Sequence, residues 1–230
     1  YAGTLPAPWP SIPGHEPIGV IAKIGDRAAQ RWGVDVGDRV AVEVLIPCGH
    51  CRACVEGRYQ VCRGRGRMFG YSYLPLSYAP GLWGAYADYM YLDPHSLVHR
   101  VRKDIPASIA ALFNPLGAGF RWAVELPGTG PGDTVLVLGP GQRGLASVIA
   151  ARAAGADTII VTGLGRDAPK LALARELGAD HVIDVEAEDA RARVKELTGG
   201  RGADVVVEVT ANSPVPVAEA LHHVAVGGRI

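Results

Sequence analysis

The feature that most restricts how this chain can fold is the run Cys48-Gly49-His50-Cys51-Arg52-Ala53-Cys54, completed by Cys62. These are all 4 cysteines of a 230-residue chain. Their spacing, C-x2-C-x2-C-x7-C, supplies the ligand number and clustering of one tetrahedral zinc. A stretch broken by Pro47, Gly49 and Gly57 has little apolar periodicity with which to bury a core, so a metal would supply the folding energy it lacks. Two disulfides, or four unrelated buried cysteines, are the other ways to use these residues. Complete clustering speaks against chance, and no signal-peptide-like apolar run opens the sequence to suggest an oxidising compartment. With Cys48, Cys51, Cys54 and Cys62 all bound, the coordination sphere is closed, so this zinc is expected to be structural. His50 would be a fifth donor at a four-ligand site and reads as a loop residue.

Composition narrows the rest. Hydrophobic residues make up 48% of the chain, and 23 basic side chains balance 23 acidic ones. That combination fits a globular protein of one large or two modest domains and argues against nucleic acid as a partner. The local run Arg63-Gly64-Arg65-Gly66-Arg67 could be a phosphate patch but reads better as a solvated loop beside the cysteines. No apolar stretch reaches the roughly 18 residues that span a bilayer, so a membrane is not an expected partner and the cytoplasm is the expected location. The sequence begins at Tyr1 and stops after Gly227-Gly228-Arg229-Ile230, where a new apolar strand should follow, which suggests an internal piece of a longer protein.

Two regimes of patterning follow one another. In residues 1–100 the segments Ile18–Ile24, Arg39–Val44 and Ala85–Tyr91 have β-branched or aromatic content between glycines and prolines, predicting a barrel-like or sandwich-like β domain. Pro106–Phe113 and Phe120–Leu126 read as two junction helices interrupted by Pro115 and Gly117. From Asp133 onward, apolar strands at 134–138, 158–161, 181–183 and 204–209 alternate with helices at 145–154, 170–177, 189–197 and 216–224. Alternation of this kind predicts an α/β fold, a doubly wound parallel sheet covered on both faces. The expected domains are residues 1–125 and 126–230.

The first turn of that alternation is Gly139-Pro140-Gly141-Gln142-Arg143-Gly144, a G-x-G-x-x-G between a strand and a helix. In this context the motif points to a dinucleotide. Gly139 makes the tight turn, Gly141 admits the diphosphate, Gly144 lets helix pack on strand, and Gln142 and Arg143 complete the candidate cofactor-binding turn. Sites for NAD usually place an acid at the end of the second strand, where this chain has Gly163. A glycine there removes repulsion against a 2′-phosphate that Arg166 could bind, while Asp167 is an alternative partner for the ribose. The cofactor is therefore read as NAD(P), leaning to NADP.

Taken together, Gly14-His15-Glu16-Pro17-Ile18-Gly19-Val20, the four cysteines, the stretch Gly84–Tyr89 and the glycine turn occur in an order that resembles the medium-chain zinc-dependent alcohol dehydrogenases, closest to the polyol, threonine and alcohol dehydrogenase branch. The resemblance spans essentially the whole chain. It implies a GroES-like β-barrel domain preceding the Rossmann domain, and an enzyme that interconverts an alcohol or polyol and its carbonyl with NAD(P). It makes His15 a ligand of a catalytic zinc and Glu16 a ligand or its supporting partner. An open three-ligand zinc can polarise a carbonyl or acidify an alcohol. Two departures stand out: the family's first cysteine ligand would lie upstream of Tyr1, and its third ligand position holds Asn114, a weak donor that could instead orient water or substrate. A zinc-independent enone or quinone reductase, or a non-catalytic nucleotide-binding protein, are the rival readings. Assembly as a homodimer or homotetramer is expected by analogy alone. His95, His99, His181, His222 and His223 have no motif around them, and Glu208 reads as a strand-end carboxylate.

Overall fold

The computed structural model describes residues 9–66, 69–211 and 213–230. The chain divides into two compact units, Tyr1–Asn114 and Pro115–Ile230.

Strands in the first unit are short. β1 (Ile18–Val20), β2 (Arg39–Val42) and β3 (Val98–Arg100) form an antiparallel sheet in the order β1-β2-β3, with Gly19 opposite Val40 and Ala41 opposite His99. The strand expected over Ile18–Ile24 stops at Val20 because Ile21 turns its backbone to the 35–38 loop: its N–H donates to Asp38 O at 2.9 Å and its carbonyl accepts from Gly37 N at 2.8 Å. α1 (Asp26–Trp32) follows, ended by Gly33 in the left-handed region at φ 62°, whose N–H reaches Ala29 O. α2 (Arg52–Val55) is a single turn among the cysteines, and α3 (Ala107–Ala110) is another near the end of the unit. The expected strand Ala85–Tyr91 does not form. Its first residues are instead pinned to the Gly14 segment, with Ala85 N donating to Gly14 O at 3.1 Å and Tyr86 N to Pro13 O at 3.0 Å. The core joins aliphatic residues of β2 and its neighbours to a group of aromatic rings. Trp83 and Tyr71 are buried against Val40, Val42 and Ile46, and the Trp83 ring lies 5.2–6.2 Å from the rings of Tyr91, Tyr78, Tyr71 and Phe69. Its indole N–H donates to Tyr78 O at 2.8 Å, as a buried tryptophan requires.

α4 (Phe113–Phe120) runs through Pro115 and Gly117, which the sequence reading took for a break. Pro115 lies in the first turn, where no intrahelical partner for its missing N–H is needed. A five-residue π turn, Arg121–Glu125, continues the helix. Residues 115–125 fall within the second compact unit. Gly119 lies so close to the next helix that a Cβ would sit 2.5 Å from Ala146 C, and Ala123 is fully buried in the core of the parallel sheet.

The rest of the second unit alternates as expected: β4 (Thr134–Leu138), α5 (Gln142–Ala153), β5 (Thr158–Gly163), α6 (Ala168–Glu176), β6 (His181–Asp184), α7 (Ala190–Leu197), β7 (Ala203–Glu208), α8 (Val215–His223) and β8 (Val224–Arg229). All five strands are parallel, in the order β6-β5-β4-β7-β8. β4 is buried along its whole length, as a central strand covered on both faces must be. Asp189 starts α7 by accepting from Arg191 N and Ala192 N. Gly227 and Gly228 are part of β8.

Candidate functional site

The four cysteines converge. Their sulfurs all lie within 4.8 Å of one another, with Cys51–Cys54 at 3.5 Å, Cys51–Cys62 at 3.8 Å and Cys48–Cys54 at 3.9 Å, and none is in a disulfide. A zinc tetrahedron with Zn–S near 2.3 Å has edges of about 3.8 Å, so the donor set fits that metal. Backbone amides prepare the sulfurs for charge. Those of His50 and Cys51 lower the Cys48 thiol to about 6, whereas burial leads in pushing Cys54 up to about 12. For Cys62 burial works upward, but the amides of Cys48 and Gly64 prevail and its thiol is lowered. Gly64 crosses directly beside the cluster, where a Cβ would stand 2.5 Å from Cys48 Sγ.

The lobe is closed at its base, where Ile46 N donates to Phe69 O at 3.0 Å and Tyr71 N to Val44 O at 2.8 Å. Arg65 ties it to the core, donating to both oxygens of the buried Asp93 at 2.8 Å and lying 4.0 Å over the Phe69 ring. Burial alone would raise the Asp93 carboxyl, but Arg65 and the His95 N–H hold it below the usual range. The central arginine of the basic run is therefore internally paired, and Arg67 lies outside the described residues. His50 Nδ1 meets Cys48 O at 3.0 Å, in keeping with a loop role.

Gly14 sits in the left-handed region at φ 99°, and a Cβ there would meet Tyr86 Cδ1 at 2.8 Å. Thus the Gly-His-Glu run and the Gly84–Tyr89 stretch, separate in sequence, are held against each other. His15 is exposed, Glu16 and Asn114 are half-buried, and none of the three side chains makes a hydrogen bond among the described residues. Among those residues the four cysteines are the one group of cysteine, histidine or carboxylate side chains gathered closely enough to hold a metal; His15 and Glu16 are not joined by a third such donor.

In the second unit, the glycine turn lies at the C-terminal end of β4, where the connections leave toward β5 on one side and β7 stands on the other. Ligands of doubly wound sheets bind at such a switch point. Gly139 is left-handed at φ 100°, with Thr210 Cγ2 only 2.9 Å from where its Cβ would be, and a Cβ on Gly144 would collide with Gly139 O at 2.0 Å. By contrast, nothing lies within 4 Å of the Cβ position of Gly141. Among the described residues no side chain caps α5, so its first N–H groups are left without a side-chain partner. Gln142 is exposed, and the half-buried Arg143 holds its guanidinium 5.1 Å over the Trp122 ring.

Gly163 has a packing reason that the sequence did not reveal: a Cβ would meet Pro140 Cγ at 2.9 Å and Leu171 Cδ2 at 3.2 Å. Arg166 is exposed and has no hydrogen bond or ion pair among the described residues. Asp167 is committed locally, pairing with Lys170 at 2.7 Å and accepting from Leu164 N at 3.3 Å, and Lys170 leads in lowering its carboxyl. Gly165 N donates to Glu186 at 2.8 Å. Glu208 accepts from both the N–H and the hydroxyl of Thr210, fixing the loop that abuts Gly139. Sequence reasoning missed Thr210, Trp122 and Gly64, because their partners are distant in the chain and carry no local motif.

Residues 1–103 match the family described as alcohol dehydrogenase GroES-like domain, and residues 144–230 that described as zinc-binding dehydrogenase. A probable alcohol dehydrogenase of Mycobacterium tuberculosis is 53% identical over 222 residues, covering 96% of this chain and 60% of that protein. An erythritol/L-threitol dehydrogenase of Mycolicibacterium smegmatis is 41% identical over 206 residues, covering 89% and 54% respectively. A solved alcohol dehydrogenase from Thermotoga maritima superposes with a TM-score of 0.83 at 29% identity, over 96% of this chain and 61% of that one. The chain thus spans 60% or less of the length of these two curated relatives.

Proposed function

Because this chain belongs to the medium-chain, zinc-binding alcohol dehydrogenase family, we infer that it serves an oxidoreductase interconverting an alcohol or polyol and its carbonyl with NAD(P). The observation that carries this reading is the glycine turn at the sheet's switch point, with an open approach at Gly141 and uncapped N–H groups on α5. A dinucleotide bound there supplies the hydride acceptor. The chain's own contribution is placement: the amides and positive end of α5 hold the diphosphate, and Gly139 and Gly144 keep the turn tight enough to present them.

The four thiolates suit a structural zinc. His15 and Glu16 do not by themselves close a catalytic metal site among the described residues. We assign His15 as one ligand of a catalytic zinc, Glu16 as a ligand or as its supporting carboxylate, and Asn114 as a group that orients water or substrate. Arg166, whose side chain makes no hydrogen bond or ion pair among the described residues, and the side-chain-free Gly163 support a preference for NADP. Homodimeric or homotetrameric assembly and a cytoplasmic location belong to the same proposal; no helix among the described residues is long and apolar enough to cross a membrane.

Metal analysis together with an alcohol and polyol panel tests the reading. One zinc should resist mild chelation through the cysteines. His15→Ala and Glu16→Gln should lose a second, more labile equivalent and lower alcohol-dependent NAD(P) reduction by about 100-fold or more. A protein that binds dinucleotide but reduces none with any alcohol would sink the enzymatic reading. Arg166→Ala should cut the NADP-to-NAD affinity ratio by about tenfold, and an unchanged ratio would remove the NADP assignment.

A further inference from the structure

Arg143 occupies an electrostatically awkward place. It is the second residue of α5, at the end of the helix that repels cations, and it is half-buried. The other half-buried arginines of this unit have carboxylates: Arg152 pairs with Asp180 at 2.6 Å and Arg193 with Glu196 at 2.7 Å. Arg143 has none among the described residues and lies instead on an aromatic face, 5.1 Å above Trp122. Trp122 belongs to the π turn Arg121–Glu125, whose next residue, Ala123, is fully buried in the sheet core, so the backbone that carries the indole is anchored. The neighbouring Arg121 is already paired with Glu125 at 3.0 Å and does not compete for the ring.

A partly desolvated cation at a positive helix end gains most from an anion, and the one surface beside it built to accept an anion is the uncapped start of α5. We infer that Trp122 is a positioning residue that holds Arg143 ready for the diphosphate of the bound dinucleotide. This rests on the dinucleotide reading of the glycine turn and extends it. The diphosphate is held by amides and by a mobile cation that the indole face has pre-oriented. Stacking suits the task because it fixes the guanidinium plane while leaving its N–H donors free.

Calorimetric titration of the chain with NADPH, ADP and AMP tests the inference, with thermal melts confirming that each variant is folded. Arg143→Gln should weaken NADPH and ADP by about tenfold and reduce the salt dependence of binding, while AMP, which has no diphosphate, changes little. Trp122→Phe, which keeps an aromatic face, should stay within about threefold of the unsubstituted chain, whereas Trp122→Ala should weaken NADPH clearly. In the double variant Arg143→Gln with Trp122→Ala, the two losses should not add. Unchanged ADP affinity in Arg143→Gln, or fully additive losses, overturns the inference while leaving the dinucleotide site standing. If the unsubstituted chain binds neither NADPH nor ADP, the dinucleotide reading fails and the inference with it.

Discussion

One absent methyl group bears on whether four sulfurs can share a metal. Gly64 passes Cys48 so closely that a Cβ would lie 2.5 Å from Sγ and 2.9 Å from Cys48 Cβ. Gly64→Ala must therefore push the Cys48 sulfur or the 64–66 backbone away, widening a cluster in which three of the sulfur–sulfur distances, 3.5–3.9 Å, already suit zinc. Zinc affinity should fall by about 10- to 100-fold, checked by competition with a chromophoric chelator; retention equal to the unsubstituted chain would show that the backbone yields without cost. Gly163 gives the complementary lesson. Its missing side chain was legible as a missing charge, but the structure adds a steric reason, the ring of Pro140, which the sequence could not display. Cysteine identity and spacing are local facts and were readable. The tolerance of a glycine for a particular neighbour is a fact about distant chain and was not.

Elements differ in how clearly they were written. The second unit was legible from Thr134 to His223 because parallel strands buried on both faces read as unbroken apolar runs, and each is punctuated by a turn. The first unit was not, because strands of three and four residues are too short to show a period, and part of its core is aromatic side chains meeting across loops, with Trp83 among them. α4 was misjudged for a different reason: Pro115 looks like a break until its place in the first helical turn is known. That helix makes its own prediction. Gly119 brings its backbone against Ala146 and Ser147 of α5, with the Cβ position 2.5–2.9 Å from main-chain atoms that cannot rotate aside. Gly119→Ala should cost about 1–3 kcal/mol by overpacking, measured by urea denaturation, and a neutral result would mean that the two helices separate freely.

Across the whole molecule, the metal cluster and the glycine turn lie in different compact units, each with its own hydrophobic core. Loss of metal should accordingly be felt unevenly. Strong chelation is expected to lower the melting temperature of the first unit while dinucleotide titration of the second proceeds with nearly unchanged affinity; parallel loss of both would refute this independence. The base of the cysteine lobe carries a further consequence. Since Val44–Ile46 and Phe69–Tyr71 are already joined by backbone hydrogen bonds, the chain leaves the core and re-enters it at almost one point. The intervening segment is an appendage on a closed stem, fastened to the core through Arg65 and Asp93, so descendants of the gene could rewrite the rest of it without renegotiating the sheet beneath as long as that pair is kept.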